Sequence, residues 1–177
     1  MVACDADTTV NLMIDLWARL HDIFEAETEG HPEIEIGKLT PQSTMALVDY
    51  MLVNSKNLET AFTMREPFQQ VYIPSPQVVG KFLASGAVLG ELWLAITVEQ
   101  CPLPEMAIFV DGPDYISMEY RMGMGWNGVT LTGLFEFFRF VKRLEPNARI
   151  GLSAEFFSRQ WRYDFDLTLQ DYLNEKH

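Results

Sequence analysis

Between Leu89 and Met122 the apolar residues take up a period of two, and that limits the fold more than any other feature. Leu92, Leu94, Ile96 and Val98 fall on one side of an extended chain, with Trp93, Ala95 and Thr97 on the other. Only a strand sends successive side chains to opposite faces. Met106 to Val110 and Tyr115 to Met122 read as two more strands, joined by Asp111-Gly112-Pro113-Asp114, a turn by composition. The second of these alternates cleanly, with Ile116, Met118, Tyr120 and Met122 against Ser117, Glu119 and Arg121. One dry face and one wet face is the pattern of an antiparallel sheet packed on a single side.

Helical spacing governs the flanks. Val10, Met13, Trp17, Leu20 and Phe24 make a stripe, widened by Ile14, Leu16 and Ile23, that predicts a helix from about Thr8 to Glu27. Thr40-Pro41 is a cap followed by proline at the first helical position. It opens a second helix through about Asn54, with Met45, Val48, Met51 and Leu52 inward. Residues 55–67 fit either a short helix or a loop. Phe68 to Ile73 reads as a strand, and Ser75-Pro76 starts a helix of about ten residues that Gly86 ends in a left-handed conformation. The third strong helix runs from about Thr130 to Leu144 and buries Leu131, Leu134, Phe135, Phe138 and Val141. Arg149 to Phe156 and Gln160 to Phe165 read as a hairpin, with Trp161, Tyr163 and Phe165 on one face. Asp166 then caps a short closing helix to about Glu175. Helices set apart from runs of adjacent strands define an α+β protein. The expectation is one globular domain over residues 1–177, acidic and helical to about residue 66 and mixed from there on. Its antiparallel sheet of about five or six strands is covered by helices, including a long N-terminal and a short C-terminal one.

Charge is the clue to a partner. The net charge is −12, and residues 1–35 hold −8 of it, nine carboxylates against Arg19 alone. A one-sided field gathers cations and basic surfaces and repels nucleic acid and anionic lipid, so neither of the latter is an expected partner. The longest apolar run, Gly86 to Val98, is broken by Glu91 and too short for a bilayer. No basic, apolar leader is visible and the two cysteines, Cys4 and Cys101, form no framework, so a cytoplasmic protein with reduced thiols is expected.

Each motif has a plainer reading. Gly123-Met124-Gly125-Trp126-Asn127-Gly128 matches a dinucleotide fingerprint, but the preceding strand is amphipathic where a Rossmann strand is apolar on both faces. Only 49 residues follow it, and the one acid near a later strand end, Glu155, lies 27 residues on, beyond the usual ~20. His21, Glu25, His31 and Glu33 are the one grouping with metal-ligand chemistry, yet a solvated polar face accounts for them, so no metal or other cofactor is expected. No serine or cysteine sits beside a histidine in a nucleophile setting. Asp164 with Asp166, and Asp111 with Asp114, have simpler roles as cap, edge and turn residues. The basic and aromatic run Arg159 to Tyr163 is ordinary strand patterning beside two aspartates.

What is left is the character of a binding module. A small acidic α+β chain without a catalytic set resembles in character the immunity proteins that block the basic cleft of a toxin such as a nuclease. On that reading Asp15, Asp22, Glu25 and Glu29 steer a basic protein partner, and Tyr115, Tyr120 and Trp126 anchor it. For Trp126, folding back over the sheet edge is an equal alternative. A rival reading is a small-molecule binder or enzyme with an apolar pocket between the sheet and the third helix, near Met118, Met122 and Phe138. A third is a homo-oligomer packed through Trp17 and Phe24 of the first helix.

Overall fold

Two reciprocal caps start the helices that matter most. Thr40 Oγ1 accepts from Ser43 N–H at 3.2 Å and Ser43 Oγ accepts from Thr40 N–H at 2.8 Å, which together with Pro41 opens helix α2 (Pro41–Val53). Asn127 does the same for helix α4 (Gly128–Leu144). Its Oδ1 accepts from Val129 N–H at 2.9 Å and Thr130 N–H at 3.2 Å, while Thr130 Oγ1 accepts from Asn127 N–H. The glycine motif is therefore a turn feeding a cap, with Gly123 and Gly125 at φ of 91° and 111°, and the amides of Val129 and Thr130 are already bonded within the cap.

The computed structural model describes the backbone of residues 6–25, 32–73, 76–123 and 125–175, and their side chains except at 6–15, 57–58 and 76–77. Besides α2 and α4 it holds α1 (Ala6–Glu25), α3 (Pro76–Ala84) and α5 (Arg159–Asn174). The strands are β1 (Glu33–Gly37), β2 (Ser55–Met64), β3 (Gln69–Val71), β4 (Val88–Val98), β5 (Cys101–Pro102), β6 (Met106–Gly112), β7 (Tyr115–Tyr120) and β8 (Arg149–Leu152). Seven of them lie in the order β3-β2-β4-β6-β7-β1-β8, every neighbour antiparallel, and β5 pairs with the end of β4. The α+β class holds, with more strands than the sequence suggests.

The helices form one connected layer: α3 lies on α2, α2 touches α4, and α4 contacts α1 and α5. They cover the face of β4 that carries Val88, Leu92, Leu94, Ile96 and Val98, all buried. Gly90 belongs to the same face, where a Cβ would lie 2.7 Å from Leu83 Cδ2, so the missing side chain lets α3 press onto the sheet. Phe135 and Phe138 of α4 meet Phe165 of α5 edge-on, as Phe135 meets Tyr172. Each such ring, fully buried, contributes about 1.5–3 kcal/mol. Among the described residues, no helix is long and apolar enough to cross a membrane.

Three expectations need correction. Residues 160–165 are the first turns of α5, and no hairpin forms. Ser158 Oγ accepts from Trp161 N–H at 3.2 Å, and the buried residues Phe165, Thr168, Leu169 and Tyr172 follow helical spacing. Tyr163, which would complete the strand pattern, is 62% exposed. Asp166 lies inside that helix and caps nothing, and Asp164 is helical as well, not at a strand edge. Residues 55–67 are mostly β2, whose alternation is interrupted by a bulge between Asn57 and Glu59. Strand β1, unforeseen, lies between β7 and β8.

Candidate functional site

Opposite the buried face of β4 the sheet carries half-buried side chains, Glu33, Glu35, Glu91, Trp93, Phe109 and Glu119, around the buried small residues Ala107 and Ser117. Two rows of residues cross it, each set by strand register. One runs Glu59, Trp93, Ala107, Glu119, Glu33 across β2, β4, β6, β7 and β1. The next runs Ala61, Glu91, Phe109, Ser117, Glu35 and ends on Gly151 of β8. Five of these eleven residues are glutamates. Trp93 is half-buried among them and its Nε1 donates to Glu91 Oε1 at 2.9 Å. Beside it is a notch of about 50 Å³ lined by Trp93, Glu105, Ala107, Glu119, Tyr120 and Arg121.

The acids here are crowded. Tyr120 N–H donates to Pro32 O, and Ser153 N–H donates to Glu33 O. The ladder therefore turns the main chain of Glu33 away from β7 and makes Glu33 and Glu119 a non-hydrogen-bonded pair, the type that brings side chains closest. The Glu33 carboxyl titrates above its ordinary value, through partial burial first and then the charges of Glu119 and Glu35, a hydrogen bond with Glu119, and Glu155. Tyr115, opposite Gly37, is pushed up to about 12 by burial, by the charges of Glu35, Glu33 and Asp111, and by a hydrogen bond with Glu35. A face that holds like charges directly opposite one another gives up folding stability.

The residues proposed from sequence divide sharply. Tyr115 lies on this face. Asp22 and Glu25 are exposed on α1, with Asp22 Oδ1 3.1 Å from His21 Nε2. The side chain of Asp15, and Glu29, lie outside the described residues, as do Cys4 and His31. Tyr120 and Trp126 are core residues and not surface anchors. Tyr120 is 1% exposed and stacked on Phe24 at 5.1 Å between ring centres. Trp126 is 5% exposed, folds over the same pair and donates from Nε1 to Arg121 O at 2.9 Å. Phe24, offered as a dimer contact, is fully buried within the chain. Met118 and Phe138 are likewise fully buried, part of the core that joins the sheet to the helices.

Sequence reasoning offers Glu33 only in a grouping with metal-ligand chemistry and does not single out Glu35, Glu59, Glu91, Trp93 or Glu119 as site residues. For Glu91, Trp93 and Glu119 the signal is legible, since each belongs to the half-buried side of an alternating strand; β1 is too short and β2 too irregular to show it for Glu33, Glu35 and Glu59. Assembling them required the strand order. Among the described residues, no group of three or more His, Cys, Asp or Glu side chains is placed to hold a metal ion. The Cys101 thiol is pushed up by burial and by the charges of Glu136 and Glu99, which makes it a poor nucleophile. Comparison with protein-family models, with curated proteins and with solved structures finds no match.

Proposed function

We propose that this chain is a cytoplasmic protein-binding module that engages a basic protein partner through the glutamate-bearing face of its sheet. A single observation carries the reading: glutamates from four strands, β2, β4, β7 and β1, stand in two adjacent rows, with Glu33 and Glu119 paired in register. Packing needs do not place them there, since the core lies on the other side. A lysine or arginine seated between Glu33 and Glu119 relieves their repulsion and makes charge-assisted hydrogen bonds. The notch beside Trp93, with Arg121 on its lining, adds an aromatic face and the exposed carboxylate of Glu105 to this surface. The concrete form we favour is an immunity-type inhibitor of a toxin or nuclease whose basic cleft covers this face, with the acids of α1 contributing long-range steering.

The test begins with the untagged protein isolated from its own host at low salt and weighed intact by native mass spectrometry. The reading expects a stoichiometric basic polypeptide that leaves as salt rises. Glu91→Lys with Glu119→Lys should then abolish the complex, while reversal of Asp22 and Glu25 should mainly slow association. A complex that survives the Glu91 and Glu119 reversals would place the interface elsewhere.

A further inference from the structure

Helix α5 returns alongside β8, the last strand of the sheet, and the two bound a groove of about 760 Å³. Strand β8 has a neighbour on one side only. Because Ser153 N–H donates to Glu33 O at 3.0 Å, the alternation of the ladder points the main chain of Gly151 toward β1 and that of Ile150 and Leu152 away from it. Those outward N–H and C=O groups make no hydrogen bond to another described residue. Unpaired main-chain groups along a strand edge are a template for another strand.

The charge of the groove is opposite to that of the whole molecule. Lys38, Lys142, Arg149 and Arg162 line it against Glu35 and Asp166, a net positive patch on a chain of −12. Lys142 Nζ is bonded to the carbonyls of Pro146 and Ala148. Neither arginine joins an ion pair among the described residues, and Arg162 Nε is shielded from solvent with no hydrogen-bond partner. Leu169 and Leu173 supply an apolar strip on the α5 side.

We infer that this groove binds an acidic peptide segment in extended conformation, which adds to the sheet beside β8. Main-chain bonds to Ile150 and Leu152 hold the segment. The register puts Arg149 on the side opposite Ile150 and Leu152, to meet acidic side chains there, while alternate apolar side chains turn to Leu169 and Leu173. A second copy of the chain is the poorer occupant, because a two-fold pairing of β8 with its twin would bring the two basic rims together.

The experiment uses the full chain and a blocked, fluorescein-labelled eight-residue peptide of alternating glutamate and valine, read by anisotropy at low salt. Binding should saturate and weaken with salt, and amide exchange at Ile150 and Leu152 should slow. The double variant Arg149→Glu, Arg162→Glu should bind about tenfold more weakly. A peptide N-methylated at alternate residues, in the phase that faces β8, should lose binding without any change to the protein. Equal binding of a lysine–valine peptide, of both N-methylated phases, or of the double variant would overturn the proposal. So would unchanged exchange at Ile150 and Leu152, or their protection in a dimer without peptide.

Discussion

Replacing Glu33 with glutamine should make the folded protein more stable at neutral pH and leave it unchanged in acid. Glu33 and Glu119 face each other as a non-hydrogen-bonded pair, with Cα atoms about 4.5 Å apart in such geometry. Like charges placed so destabilise a sheet by about 0.2–1 kcal/mol, and Glu35 and Glu155 add to the repulsion. Glu33 is only partly buried, so solvent and salt screen the interaction. Glutamine keeps a hydrogen bond to Glu119 and removes the charge, for a gain of about 1 kcal/mol. In a chain of this size that raises Tm by about 2–4 °C. The pH dependence has a definite sign. The carboxyl titrates higher in the folded than in the unfolded chain, so the folded state holds the proton more tightly. Wild-type stability is therefore full below the unfolded pKa and declines as pH rises through the folded one. Urea titrations of both proteins from about pH 3.5 to 7.5 should give curves that coincide in acid and diverge toward neutrality. A difference independent of pH, or a less stable variant at neutral pH, would refute the reasoning. If the proposed reading holds, the same variant should also weaken binding of a basic partner.

Gly80→Ala should destabilise by about 1–3 kcal/mol in urea titration, because the added Cβ would lie 2.9 Å from Met45 O and 2.5 Å from Asp49 Oδ1, where α3 meets α2. Trp126→Ala should cost about 3–5 kcal/mol, since the ring is buried against Phe24 and Tyr120 and its Nε1 bonds Arg121 O; a surface anchor would give almost no change in the same titration. Tyr172→Phe should cost about 1–3 kcal/mol, because the hydroxyl donates to Glu136, which also accepts from Arg139, and the loss would appear as a lower Tm. Arg139 lies 4.3 Å over the Tyr172 ring, a contact that phenylalanine keeps.

Local rules carried the sequence reading wherever one residue type does one job. Thr40-Pro41 had to start a helix, and Gly86 ends α3 at φ of 71° as a glycine can. Alternation in β4 was strong enough to separate a packed face from a wetter one before any strand was placed, whereas in β7 Ser117, expected on the wet face, is buried. The local rules failed where signals were short or mixed. In α5, Trp161, Tyr163 and Phe165 mimic a strand, and only the packing of Phe165 on Phe135 and Phe138 shows which period is real. In β2 a bulge interrupts the alternation that would have named it. Strand β1 has just two inward residues, Ile34 and Ile36, too few to stand out beside an acidic run.

By itself the sequence determined the α+β class, the surplus of acid and the residues that must alternate across a sheet, because these depend on spacing within one segment. Strand order and register were decided only in the tertiary structure, because they depend on which segments choose one another. That choice carried Glu33 and Glu35 from an acidic N-terminal stretch to the next-to-last strand of a sheet, opposite Glu119 and Ser117 of a strand far along the chain. It also packed the helices into one connected layer against the buried residues of β4. Charge that looks like a solvated run in the sequence thereby becomes a surface. Its energetic cost, like charges held in register, is a property of the pairing and not of either segment.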